Sequence, residues 1–139
     1  MADTIDREVQ PLVDAISAVP YLATVSCCAG HPDEKTPGFQ YAVANVVFEV
    51  KDEPRNLFRW YRLMERVLRF RRDTRVRHDW GCTFDRRFSL GEDDVLSWEW
   101  VLKIEGSGRD LAGCRAALDE GIAALVEPFQ AEAEECRAR

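Results

Sequence analysis

The sequence predicts an α+β fold: a four-stranded, mainly antiparallel sheet packed with helices, in the order α-β-β-α-β-β-α. Three observations carry it. Residues 39–50, 75–85 and 95–105 alternate apolar and polar side chains at the two-residue period of a half-buried strand. Residues 53–70 switch to the 3.6-residue period of an amphipathic helix. The chain is 139 residues long, with 46% hydrophobic residues, no internal repeat and no low-complexity linker. That is the size and composition of a single domain, here spanning 1–139, with enough apolar surface for one core.

The elements follow in order. Ile5, Val9, Leu12, Val13 and Ile16 recur at helical spacing, which predicts a helix over 8–18. Pro11 suits its first turn and Pro20 ends it. Residues 21–26, Tyr-Leu-Ala-Thr-Val-Ser, are short and partly β-branched and read as a strand. Gly30 to Gly38, with Pro32 and Pro37, reads as a loop. In the strand 39–50, Ala42, Ala44, Val46, Phe48 and Val50 share one face.

Asp52-Glu53-Pro54 opens the second helix, since acidic residues and proline suit a helix N-terminus. Leu57, Trp60, Tyr61, Met64, Val67 and Leu68 form its apolar face, with Arg55, Arg59, Arg62, Arg66 and Arg69 opposite. The link through this helix is expected to be a right-handed crossover joining parallel neighbours. In the third strand Val76, His78, Trp80, Cys82 and Phe84 share a side. In the fourth, Leu96, Trp98, Trp100, Leu102 and Ile104 do. Residues 90–94 form the turn between them. Gly106-Ser107-Gly108 is expected to break the chain, and a last helix follows, disturbed at Pro128.

Composition limits the function classes. No apolar run reaches the roughly 18 residues of a membrane span. The acidic start lacks the features of a secretion signal, so the expected location is cytoplasmic, with no membrane association. Five scattered cysteines fit reduced thiols better than a disulfide framework. The net charge of −6 argues against broad nucleic-acid binding, but it is unevenly spread. Residues 51–87 hold twelve basic and six acidic side chains, leaving a local anionic partner open.

Three constellations are candidates for chemistry. The first is Thr24 to Pro32, "TVSCCAGHP", at the end of the first strand. Strand ends hold functional loops rigidly, and amides around Gly30 can form an anion-binding nest. Cys28 and His31 are near enough to pair as thiolate and imidazolium, which activates a nucleophile. Cys27, Cys28 and His31 are therefore the candidate catalytic residues, and Ser26 and Gly30 candidate ligand contacts. The alternative is a tight turn of small residues. The second constellation is Cys28-x2-His31 with His78-x3-Cys82. Its second half lies in a predicted strand, where residues four apart stand about 13 Å from each other, so zinc is not expected and His78 reads as a core histidine. The third is the run of nine arginines from Arg55 to Arg77. Those on the helix read as a solvated face, paired with acids of the last helix such as Glu127, Glu132, Glu134 and Glu135. Arg71, Arg72, Arg75 and Arg77 lead into the next strand and are candidates to hold an anion at the first site.

The stretch from Ile5 to Pro32 resembles the opening of small bacterial and phage proteins that carry a helix and then a T-x-S-C-x-G-H segment. More distantly it is similar to the wybutosine-synthesising methyltransferase family of tRNA-modification proteins. There a helix leads into a strand ending in S-S-C-S-G-R. The matching residues here are Ser26, Cys27 or Cys28, and Gly30, with His31 in the place of the basic residue. The resemblance covers the first third of the chain. It implies S-adenosylmethionine as cofactor and tRNA or a small anionic ligand as partner. The other reading is a non-catalytic interaction module, homo-oligomeric through its Trp-rich strand.

Overall fold

The computed structural model describes residues 8–28, 40–94 and 96–139. It contains α1 (Gln10–Ser17), β1 (Leu22–Cys28), β2 (Gln40–Val50), α2 (Glu53–Asp73), β3 (Asp79–Leu90), β4 (Leu96–Gly108) and α3 (Leu111–Ala138). The order is the expected α-β-β-α-β-β-α. The strands form one antiparallel sheet in the order β1-β2-β4-β3.

The crossover differs from the expectation. β2 and β3 run in the same direction but are not neighbours, because β4 lies between them and pairs with both. The β3–β4 hairpin places β4 against β2, and the antiparallel ladder then extends from Phe48↔Trp100 to Gln40↔Gly108. This keeps every pairing antiparallel.

All three helices belong to one core on one face of the sheet. α1 begins with Pro11 in its first turn and buries Leu12, Val13, Ala15 and Ile16. From β2 come Ala42, Ala44, Val46, Phe48 and Val50, the predicted face. α2 buries Trp60, Leu63 and Val67. Trp60 is fully buried and makes edge-on contacts with Phe48, Phe84 and Trp100 at ring distances of 5.1, 5.3 and 5.4 Å. Tyr21 ties β1 to α3: its hydroxyl donates to Glu132 Oε2 at 2.6 Å. Burial and that bond push the phenol well above its usual pKa.

Two expected interruptions do not occur. β4 continues through Gly106 and Gly108, because both glycines are packing positions. A Cβ on Gly106 would stand 2.5 Å from the Leu118 amide nitrogen, and one on Gly108 2.6 Å from that of Cys114. The absent side chains let α3 lie on the strand backbone. α3 also runs unbroken through Pro128. Its neighbours Leu125, Phe129 and Ala133 are buried in the same core, and that packing outweighs the roughly 3 kcal/mol a helix-interior proline costs. Asp110 caps the helix by accepting from the Gly113 amide at 2.7 Å.

The apolar face of β4 is only partly covered. Trp100, Leu102 and Ile104 are buried, but Leu96 and Trp98 are exposed, as are their cross-strand partners Leu90 and Phe88. The hairpin extends past the end of the β2 ladder at Phe48↔Trp100. No helix among the described residues is long and apolar enough to cross a membrane.

The close approach of α3 to β4 makes a direct prediction. Gly106→Ala should destabilise the domain by about 2–3 kcal/mol, because the clash is with helix backbone rather than a movable side chain. At roughly 3 °C per kcal/mol for this chain length, thermal melting should fall by about 6–9 °C. Gly81→Ala, into open space, should change it little.

Candidate functional site

The predicted site begins where β1 ends, and a β-bulge decides its geometry. Leu22 and Thr24 pair with Val50 and Phe48 on the helix-bearing side. The register then shifts at Val25, and Ser26, Cys27 and Cys28 pair with Val47, Val46 and Asn45. The extra residue inverts the alternation. Cys27 now packs against the core, while Ser26 and Cys28 emerge on the opposite, helix-free face. Both cysteines are therefore strand residues rather than members of a turn.

On that face Ser26, Cys27 and Cys28 line a depression of about 570 Å³. Val47 and Val101 are small buried residues that form its floor, and Asn45, Asp85, Arg87 and Lys103 stand around it. The side-chain oxygen of Asn45 is buried without a hydrogen-bond partner among the described residues. The cations are largely neutralised. Arg87 Nε lies 3.2 Å from Glu99 Oε1, directly across the β3–β4 pair, and Lys103 Nζ lies 2.7 Å from Asp85 Oδ2. The charges thus form two cross-strand pairs, leaving little net positive charge for an anion.

Gly30 and His31 lie outside the described residues, so the proposed Cys28–His31 pair does too. Arg71, Arg72, Arg75 and Arg77 are not among the residues lining the depression. Arg71 Nε donates to the Trp80 carbonyl at 2.8 Å, and its guanidinium stacks 4.5 Å from the centre of the Trp80 ring. Trp80 belongs to the core, on the helix-bearing face. Arg72 pairs with Asp73 at 2.9 Å. Arg75 is exposed in the connection to β3, and the backbone amide of Arg77 donates to Glu120. The basic groups at the depression are instead Arg87 and Lys103; the Arg86 guanidinium lies on the other face, beside Glu53. Their sequence signal was the polar half of the strand alternation: Asp85 and Arg87 fall between Phe84, Arg86 and Phe88, and Lys103 between Leu102 and Ile104.

His78 is not a core histidine. It precedes β3, is exposed, and its Nδ1 lies 3.3 Å from Glu120 Oε1. No group of three or more metal-binding side chains occurs among the described residues. Of the arginine stripe, Arg66 pairs with Glu132 and Glu135 of α3, two of the four expected acids.

None of the five cysteines is in a disulfide, and their environments differ. Cys28 is exposed and Cys114 fully buried. Burial pushes the Cys82 thiol up to about 11, against the opposing effect of Arg71.

No family model matches the chain, and no curated protein or solved structure does.

Two outcomes follow from these environments. Cys28 should account for the fastest reaction with a thiol reagent at pH 8, a phase that Cys28→Ser removes. Cys114 should react only after unfolding, and Cys82 more slowly than Cys28. The second concerns acid. Burial opposes ionisation of Glu120, but hydrogen bonds from the amides of His78 and Arg77 and from the His78 ring outweigh it, and its pKa is lowered. A group whose folded pKa is depressed stabilises the fold above its unfolded pKa, and that stability is lost as pH falls through the folded value. Glu120→Gln should therefore destabilise the domain at pH 7 and flatten the loss of stability between about pH 5 and pH 3, read by urea unfolding across that range.

Proposed function

We propose that this chain is a non-catalytic interaction module that associates with a second copy of itself through the edge strand β3 and the tip of the β3–β4 hairpin. One observation carries the reading: an apolar surface lies exposed at the edge of the sheet. Phe88, Leu90, Leu96 and Trp98 are between 49% and 63% exposed, and Phe88 and Trp98 stack edge to face at 4.9 Å. The surface continues through Arg86, whose guanidinium lies over the rings of Trp98 and Trp100, to Tyr61 on α2. Contiguous apolar area of this kind marks an interface rather than ordinary solvent contact.

The charges favour a second copy as the occupant. β3 is twelve residues long and ends the sheet, so its outer backbone groups have no strand partner among the described residues. In an antiparallel pairing of two β3 strands centred on Arg86, Asp85 of each copy meets Arg87 of the other, and Phe84 meets Phe88. Arg86 at the centre already carries its counter-charge, Glu53, at 2.6 Å.

The reading as a ligand-binding relative of the tRNA-modification proteins has less support. It rests on the exposed Cys28 thiol and the unsatisfied Asn45 oxygen at the depression, where the cations are occupied by carboxylates.

Sedimentation velocity tests the proposal. The wild type should be a dimer or in monomer–dimer exchange at concentrations up to about 100 μM, equivalent to about −5.5 kcal/mol of association. Phe88→Asp combined with Trp98→Ser should yield a monomer, with thermal stability kept because both side chains are exposed. A wild-type chain that remains monomeric throughout that range rules the proposal out.

A further inference from the structure

Several cations of this acidic chain are matched to a carboxylate, and others are not. Arg66, Arg69, Arg72, Arg86, Arg87, Lys103 and Arg115 each form an ion pair. Four neighbours do not: Lys51, Arg55, Arg59 and Arg62 have no carboxylate within ion-pair distance among the described residues. Arg55, Arg59 and Arg62 follow one another at steps of four and three, which sets them on one stripe of α2, and Lys51 immediately precedes the helix.

Two of the four converge on a cavity. Lys51 and Arg59, joined by Arg139, line a space of about 290 Å³ between the α1–β1 turn, the first turns of α2 and the end of α3. Tyr21, Asn56 and Cys136 complete its wall, and neither Asp nor Glu is among the residues that line it. The nearby Glu132 is already engaged: one oxygen accepts from Tyr21 at 2.6 Å, the other lies 3.4 Å from Arg66. The Asn56 amide donates to the Lys51 carbonyl at 2.5 Å, which holds the Lys51 backbone against α2.

We propose that this cavity binds a phosphate group, carried by a phosphomonoester or a polyphosphate. Three positive side chains around one small space repel one another, and an anion of charge near −2 relieves that repulsion while accepting hydrogen bonds from lysine and from the arginine forks. The volume suits one or two phosphate groups, with the remainder of a longer ligand running along Arg55 and Arg62. The site is separate from the depression at Cys28 and from the hairpin tip. It does not depend on self-association.

Titration calorimetry at low ionic strength tests it with inorganic pyrophosphate in one arm and a short single-stranded RNA oligonucleotide in the other. Pyrophosphate should bind, with affinity falling as salt is raised. Lys51→Ala and Arg59→Ala should each raise its dissociation constant at least about fivefold, about 1 kcal/mol by the usual conversion. Arg69→Ala, which removes an arginine already paired with Glu65, should leave binding within twofold. Binding in the pyrophosphate arm identifies a small phosphate ligand. Binding of RNA alone that is equally sensitive to Lys51→Ala and Arg59→Ala identifies a polynucleotide as the source of the phosphate. Absence of binding in both arms overturns the proposal. So does a loss as large in Arg69→Ala as in Arg59→Ala, since that reports diffuse charge on the helix rather than a site.

Discussion

The contact on which the rest of the structure depends is the seating of α3 on the backbone of β4. Gly106 and Gly108 offer no side chain to the helix, and Gly121 in turn leaves room for the Trp80 ring and Ile104. Helix and strand therefore meet closer than side-chain packing permits. Cys114 and Leu118 become fully buried in that contact, and the Cys114 thiol reaches the Gly106 carbonyl at 3.4 Å. With α3 held there, α1 packs against its flank, and Tyr21 locks β1 to Glu132. The position of β4 in the sheet follows from the same contact. The strand under the central helix is the one that must be buried on that face, so β4 lies inside the sheet and β3 at its edge.

The second helix is placed by one side chain. Trp60 fits between Phe48, Phe84 and Trp100, drawing three strands into a single aromatic contact. The salt bridge from Glu53 to Arg86 secures the first turn of α2, and Arg71 on Trp80 secures the last. This seating covers the sheet up to the level of Trp100 and no further. The apolar residues of the hairpin beyond it have the same alternation as those beneath the helix, but no helix of the described chain covers them. The apolar edge is thus a consequence of strands that are longer than the helices that cover them.

The two faces of the sheet manage charge differently. On the helix-free face acids and bases alternate across β3 and β4 and neutralise one another in place. On α2 one arginine finds its acids on α3. Arg66 reaches Glu132 and Glu135, whereas Arg55 and Arg62 form no ion pair among the described residues.

Element type and order were legible in the sequence because they depend on local periodicity. The core face of β2 was legible too: Ala42 to Val50 sit where alternation puts them. That of α2 was legible in part: Trp60 and Val67 are buried as helical spacing puts them, but Leu63 joins them while Tyr61 and Leu68 are exposed. Ser26, Cys27 and Cys28, at the end of the first strand, line the depression on the helix-free face. What tertiary structure alone decided was parity, neighbourhood and coverage. The bulge at Val25 turned Cys28 to the open face, a one-residue change of register that local pattern does not report. The insertion of β4 between β2 and β3 separated two strands that the chain joins in sequence. It also put Arg87 and Lys103, rather than Arg71 to Arg77, beside the cysteines. Gly106, Gly108 and Pro128 read as breaks because glycine and proline are costly in isolated elements. In the folded chain a neighbouring backbone and a packed core outweigh that cost. Exposure at Trp98 depends on where a distant helix stops, and no periodicity within 95–105 encodes that position.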